Sequence, residues 1–250
     1  MTESFEEQNR KMLRDIFSTA ALPLPPEQEG AFLRYFELLV ERNRVMNLTA
    51  ITEPEEVFRK HFLDSAILWS ELEKAVICLP EPCSVIDVGT GAGFPGVPLK
   101  IVKPEISLTL LDALQKRIGF LKEVAETLDL QGVTLVHSRS EDAAKPGKPF
   151  REQYDLAVSR AVSQLNVLSE YCLPFVRVGG LFAAYKSADC EEELHAAAHA
   201  LEVLGGSIEQ VLSYSLPGSD IGRSLVVIRK VRPTPEAYPR KAGKPEKKPM

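Results

Sequence analysis

A short apolar run passes into a glycine-dense turn at Ser84-Val85-Ile86-Asp87-Val88-Gly89-Thr90-Gly91-Ala92-Gly93-Phe94-Pro95-Gly96, and a second apolar run ends on an acid, Asp112, 23 residues after Gly89. Both runs read as strands. Glycine lets the backbone bend tightly and approach a ligand closely, and a carboxylate at the end of the next strand can accept hydrogen bonds from both hydroxyls of a ribose. The chain is therefore constrained to a sheet that carries a nucleoside-cofactor pocket.

The spacing of the glycines narrows the cofactor. A dinucleotide site uses G-x-G-x-x-G, with backbone N–H groups and a helix N-terminus turned toward a pyrophosphate. Here the run is G-x-G-x-G, and Phe94-Pro95 occupy the turn where that helix would start. Proline has no N–H to offer a phosphate, and no Gly-Lys-Ser or Gly-Lys-Thr follows as a P-loop requires. S-adenosylmethionine has a ribose, an adenine and an amino-acid tail but no phosphate, so it suits this turn. The competing reading is an αβ turn that merely needs glycine, with Asp112 as a helix cap.

From residue 84 onward the pattern alternates strand and helix. Strands are expected near 84–88, 106–111, 133–137, 155–159 and 181–185, and helices near 97–103, 114–129, 164–176 and 189–204. That order predicts an α/β fold: a doubly wound, mostly parallel seven-stranded sheet of the Rossmann-like class I methyltransferase type. The last two strands, near 207–214 and 224–230, form a hairpin that inserts an antiparallel strand. Helix-spaced apolar residues place helices at 5–20 and 27–44, and a third is expected from Thr52, capped by its own hydroxyl and Glu55, to about Leu72. The expected organisation is an N-terminal helical extension at 1–76, a methyltransferase domain at 77–230 and a flexible basic tail at 231–250.

Charge supports that last division. The whole chain carries a formal −5, yet Arg229 to Met250 hold eight Lys or Arg against Glu236 and Glu246, with five prolines in the last 18 residues. Such a segment reads as extended, either neutralising RNA phosphates or solubilising the terminus. No stretch reaches 18 apolar residues and the acidic N-terminus lacks a signal-peptide core, so a soluble cytoplasmic protein without a membrane partner is expected. Cys78, Cys83, Cys172 and Cys190 have neither C-x-x-C spacing nor a histidine cluster; they read as buried free thiols, with no metal site.

In a doubly wound sheet the ligand lies beyond the carboxyl ends of the strands. The residues there are Gly89 to Phe94, then Asp112-Ala113-Leu114, Ser138-Arg139-Ser140-Glu141, Arg160 and Lys186. Ser140 and Glu141 are expected at the adenine edge and Phe94 beside the amino-acid tail. After the fourth strand comes Ser159-Arg160-Ala161 rather than the D-P-P-Y-like turn that orients an exocyclic amine. None of the cysteines follows the fourth or fifth strand, where pyrimidine-C5 methylation would need a nucleophile. A ring nitrogen such as guanine N7 has an available lone pair and needs neither base nor nucleophile, only positioning and electrostatics.

Asn47-Leu48-Thr49, Lys60-His61-Phe62-Leu63-Asp64-Ser65, Asp87 to Gly96, Leu111 to Arg117 with Phe120-Leu121, and Ser159-Arg160-Ala161 together resemble the ribosomal RNA small subunit methyltransferase G family, also called glucose-inhibited division protein B. The resemblance spans about residues 30–230. It implies transfer of methyl from S-adenosyl-L-methionine to N7 of one guanine in bacterial 16S ribosomal RNA, nucleotide 527 in that family, with 16S ribosomal RNA or the small ribosomal subunit as partner and a monomeric enzyme. Cofactor contacts are implied for Gly89, Gly91, Phe94, Asp112, Ala113, Leu114, Ser140, Glu141 and Arg160. Substrate positioning falls to Asn47, His61, Asp64, Ser65, Arg160 and Lys186, with no catalytic base or nucleophile required. Lys186-Ser187 departs from the Lys-Gly expected after the fifth strand. Two other readings remain: another S-adenosylmethionine-dependent methyltransferase, acting on RNA ribose oxygens or a small molecule, and a non-catalytic RNA-binding protein with a vestigial cofactor fold.

Overall fold

The chain begins with two helices that the sequence caps by different means. In the computed structural model, which describes residues 4–160 and 162–250, α1 (Phe5–Thr19) starts on Ser4, whose hydroxyl accepts from Glu7 N at 3.2 Å. Helix α2 (Pro26–Met46) starts on a proline, whose missing N–H costs nothing at that position. The third helical stretch departs from expectation. It opens at Pro54 rather than at a Thr52 cap, and it runs as α3 (Pro54–Val57), a π-helical turn over Phe58–Leu63, α4 (Asp64–Ala66) and α5 (Leu68–Lys74).

Strand and helix then alternate: β1 (Ser84–Val88), α6 (Gly96–Val102), β2 (Ser107–Asp112), α7 (Gln115–Thr127), β3 (Val133–His137), α8 (Ser140–Ala143), β4 (Tyr154–Arg160), α9 (Leu165–Cys172), β5 (Val176–Ser187) and α10 (Glu191–Leu204). Strands β6 (Gly206–Ser215) and β7 (Gly222–Lys230) complete the sheet, and a last turn of helix, α11, spans Lys244–Lys247. The strand order is β3-β2-β1-β4-β5-β7-β6. Strands β1 to β5 pair in parallel, while β7 runs antiparallel to both β5 and β6. This is the doubly wound class I methyltransferase architecture, and its order reverses between β1 and β4, the place where such sheets bind ligands.

Each strand divides its side chains between two cores with a period of two. Val85, Leu108, Leu110, Leu156, Val158, Leu181, Ala183, Leu225 and Val227 face α6, α7 and the N-terminal helices, while Ile86, Ala157, Phe182, Ala184, Val226 and Ile228 face α9 and α10. Leu13, Phe17, Phe32, Tyr35 and Phe62 belong to the first of these cores. The N-terminal helices thus share a core with the sheet. Three of the four cysteines are buried and Cys78 is exposed. Among the described residues no helix is long and apolar enough to cross a membrane.

The expected flexible tail is instead ordered against the second core. Its prolines restrict regular structure to the short α11 but do not prevent packing, and buried charges supply the anchors. The Glu170 carboxylate, 0% exposed, accepts from Arg240 backbone N at 2.7 Å and from its guanidinium Nη2 at 2.6 Å and Nε at 3.0 Å. The Lys230 ammonium, also 0% exposed, donates to Leu173 O and Thr234 Oγ1, both at 2.6 Å, and pairs with Glu152 at 3.1 Å. Arg151 Nη1 donates to Tyr238 O at 2.8 Å, and its Nη2 donates to Thr234 O at 2.6 Å.

Arg240→Ala would leave the Glu170 carboxylate buried without its cation, a loss that costs about 3–5 kcal/mol. Urea denaturation of the variant should therefore show a clearly lower midpoint with a similar slope. A midpoint equal to the parent's would mean that the tail contributes nothing to the fold.

Candidate active site at the carboxyl ends of the strands

The glycine turn depends on two groups outside it. Gly89, Gly91 and Gly93 all have positive φ, and a side chain at Gly93 would meet the Tyr35 hydroxyl, Val97 and Leu121 within 3 Å. Tyr35, buried on α2, donates to Ala92 O at 2.5 Å. Asp87 closes the turn from below: its Oδ2 accepts from Thr90 Oγ1 at 2.7 Å and from Gly96 N at 2.8 Å. Its other oxygen, Oδ1, is buried without a partner. Burial accordingly pushes the Asp87 carboxyl up to about 7, the two hydrogen bonds only partly offsetting it.

Asp112 at the end of β2 holds neighbouring loops. Its Oδ2 accepts from Gly91 N at 3.0 Å and from Arg117 Nη1 at 3.2 Å, and its Oδ1 from Leu114 N at 2.8 Å. These residues line a cavity of about 490 Å³ whose walls include Gly89 to Ala92, Phe94, Asp112 to Leu114, Thr49, His61, Arg160 and Val162. Leu114 and Val162 stand 45% and 38% exposed in it, apolar surfaces that a flat ring can cover.

A second cavity of about 390 Å³ adjoins the first and shares His61 and Arg160 with it, adding Lys60, Asp64, Tyr185, Lys186 and Arg223. The shared wall follows from the π-helical turn. There Asp64 N donates to Arg59 O and His61 O, so Lys60 O is left out of the helical ladder and accepts from Arg160 Nη1 at 3.0 Å. Arg160 Nη1 also reaches Asp64 Oδ2 at 3.2 Å, its Nη2 faces His61 Nδ1 at 3.3 Å, and its guanidinium lies over the Phe94 ring. Asp64 is shared with Arg223, whose Nε lies 3.2 Å from Oδ1. One carboxylate against two guanidinium groups leaves this floor cationic.

His61 is fixed as a neutral ring. Burial, then the Arg160 charge, pushes it down to about 3. A guanidinium only donates, so Nδ1 must accept from Arg160 and Nε2 must carry the proton, which goes to Thr49 Oγ1 at 2.8 Å. Thr49 Oγ1 also accepts from Ile51 N at 3.0 Å. The ring stacks on Phe94 with centroids 4.6 Å apart. Both nitrogens are engaged, and neither is free to remove a proton.

The profile described as rRNA small subunit methyltransferase G matches residues 28–221. The chain belongs to that family. The Ribosomal RNA small subunit methyltransferase G of Desulforamulus reducens is 49% identical over 227 residues, 91% of this chain and 92% of that one. That of Alkaliphilus oremlandii is 50% identical over 243 residues, covering 95% and 99%. In fold, the chain is similar to the crystal structure of a SAM dependent methyltransferase from Aquifex aeolicus, with a TM-score of 0.52 and 18% identity over 73% of this chain and 97% of that one.

The sequence-derived site residues divide in this structure. Gly89, Gly91, Phe94, Asp112, Ala113, Leu114 and Arg160 line the first cavity, and His61, Asp64, Arg160 and Lys186 line the second. Ser140 and Glu141 line neither; the Ser140 hydroxyl donates to Tyr171 O at 2.6 Å and the Glu141 carboxylate accepts from Gly243 N at 2.9 Å. Their side chains are committed to the fold. Ser65 is fully buried, its hydroxyl donating to His61 O at 2.5 Å. Asn47 caps α2 in the left-handed conformation. Lys186 is tied to Ser163 O at 2.7 Å and Glu193 at 2.5 Å.

Four contributors escaped the sequence reading: Tyr35, Asn43, Thr49 as an individual group, and Arg223. Asn43 Oδ1 accepts from Leu48 N at 2.7 Å and Thr49 N at 2.9 Å, which fixes the Asn-Leu-Thr loop. Its five-residue spacing to Leu48 was a readable capping signal. Arg223 meets Asp64 across 159 positions, and no local pattern marks it.

Asp87 also has a measurable consequence for stability. An acid whose folded pKa exceeds its unfolded value stabilises below the unfolded value and loses that contribution as pH rises through the folded one. With about 7 against the ordinary aspartate value of 3.8, the loss falls between about pH 4 and 7. Asp87→Asn keeps an acceptor for Thr90 and Gly96 and removes the titration. The thermal midpoint of the parent should therefore fall relative to the variant across that interval; parallel curves would mean that Asp87 folds as an ordinary carboxylate.

Proposed function

We propose that this protein transfers the methyl group of S-adenosylmethionine to N7 of a guanine in the RNA of the small ribosomal subunit. The observation that carries the reading is the wall between the two cavities, where Arg160 is a cation and both ring nitrogens of His61 are engaged, by Thr49 and by Arg160. The first cavity suits the cofactor. Asp112 Oδ1 receives only one hydrogen bond and retains a lone pair for a ribose hydroxyl. Leu114 and Val162 offer apolar faces to the adenine, whose edge is left to the backbone at Ser140-Glu141. The second cavity, floored by Arg160, Arg223 and Lys60 around Asp64, suits an electron-rich base and the phosphates beside it.

The chemistry needs little more. S-adenosylmethionine, held by Asp112, Leu114 and Val162, would supply an electrophilic methyl group that a ring nitrogen can take with its own lone pair, the sulfonium becoming a neutral thioether. No proton is removed in the step. Arg160, held by Lys60 O and Asp64 and backed by Phe94, keeps its orientation through the reaction. The chain's contribution is positioning and a fixed electrostatic environment. His61 holds Arg160 and Thr49 in register as a neutral ring. Mass mapping of the methylated nucleoside after reaction with protein-free RNA, intact small subunits and partly assembled subunits tests the acceptor atom and the form of the substrate.

Asp112→Ala removes a charge-assisted acceptor and releases the Gly91 and Leu114 amides it orders. The loss is about 1.5–3 kcal/mol, or roughly tenfold to a hundredfold in S-adenosylmethionine affinity by calorimetry. Unchanged affinity in a folded variant would take Asp112 out of the pocket.

A base-free step also fixes the pH profile. At saturating cofactor, single-turnover rates should be nearly flat between about pH 6.5 and 8.5. A steep rise abolished by His61→Ala would mean that a proton is being removed and that N7 is the wrong acceptor.

A further inference from the structure

The ordered tail uses its charges in two different ways. Arg229 pairs with Glu209, Lys230 is buried against Glu152, Arg232 donates to Glu202 O, and Arg240 is bound to Glu170. These four cations are spent on the fold. Lys241, Lys244, Lys247 and Lys248 are all exposed and have no ion pair among the described residues, and the same holds for Arg139 on the turn after β3.

The position of this segment bears on the active site. At one end Gly243 N donates to Glu141 in the turn after β3, and at the other Met250 O accepts from Asn166 Nδ2 at 3.3 Å near the start of α9, just past the turn after β4. The turn after β3 adjoins the cofactor cavity, since His137 Nε2 meets Ala113 O at 3.1 Å, and the turn after β4 supplies Val162 to its wall. Between those ends, Pro245 is buried and α11 packs on α9. The four lysines therefore stand on a fixed strip that flanks the carboxyl end of the sheet.

We propose that this strip is a phosphate-binding rail for RNA beside the target nucleotide, a reading that rests on the function proposed above. The rail presents four ammonium groups within eight residues against one carboxylate, Glu246, a charge excess that suits a polyanion. Lysine on a fixed backbone contacts phosphate as a point charge and carries no base preference. The rail therefore supplies affinity and register, while discrimination of the base stays with the cavity floored by Arg160 and Arg223.

Truncation would test this poorly, because it also removes the Arg240–Glu170 anchor. The informative variant replaces Lys241, Lys244, Lys247 and Lys248 by glutamine in the full chain, with a second in which all four become arginine. Binding to a 16S ribosomal RNA transcript is measured across a salt series, together with S-adenosylmethionine affinity and the single-turnover rate at saturating RNA. Each lost phosphate contact lowers the logarithmic salt slope by roughly 0.7–0.9, so the glutamine variant should lose about 3 in slope. Its cofactor affinity and saturated rate should be retained, and the arginine variant should bind RNA as the parent does. A parent that methylates RNA beside a glutamine variant of unchanged slope overturns the rail alone. A parent that transfers no methyl to RNA overturns the function on which the rail rests.

Discussion

The site is organised around one guanidinium. Arg160 ends β4 at the point where the strand order reverses, and its partners all come from the N-terminal helices or the glycine turn: Lys60 O, Asp64, His61 and Phe94. A free carbonyl in mid-helix is unusual, because the helical ladder claims it. The π-helical turn at Phe58–Leu63 releases Lys60 O, so a local loss of regular hydrogen bonding becomes a long-range contact between residues 100 apart. The same turn rotates His61 toward Phe94 and sets Asp64 between two arginines.

This makes the helical extension part of the active site rather than an addition to it. Tyr35 on α2 holds the backbone of the glycine turn, Phe62 stacks on Tyr35, and Phe94 from the turn itself packs against both rings. A glycine turn is permissive by nature and gains a single conformation only from what surrounds it. Here the hydroxyl that fixes the backbone at Ala92 comes from Tyr35, 57 positions away. Affinity for a cofactor, on this view, is set as much by aromatic packing under the turn as by the groups that line it.

Much of this was legible in the sequence where the determining signal is local. Apolar runs of strand length, alternating with helix-spaced segments, give the parallel sheet because each element's pattern is set by which of its own faces is buried. The strand-end residues follow from topology once the sheet is known, and His61 and Asp64, three apart, lie together as their spacing requires. What the sequence concealed depends on partners far away. Glu170 and Arg240 look like ordinary surface charges, and only burial by unrelated segments turns them into the anchor of the tail. Ser140 and Glu141 stand at the strand end that topology assigns them, yet their side chains turn toward Tyr171 and Gly243, a matter of rotamer and neighbours that no periodicity encodes.

The tail carries the same lesson into composition. Five prolines and a net positive charge describe a segment with little regular structure of its own, and its helix α11 spans only four residues. Disorder would also require that nothing else satisfy its backbone or bury its few apolar groups. Arg151 accepts that role for the carbonyls of Thr234 and Tyr238, while Tyr238 and Met250 pack on the second core. Ordering costs conformational entropy at each residue, yet proline begins with less of it to lose than any other. A proline-rich segment is thus the cheapest irregular chain to fix in place once a few buried ion pairs hold it, and the solvent-facing positions left over are free to carry lysine.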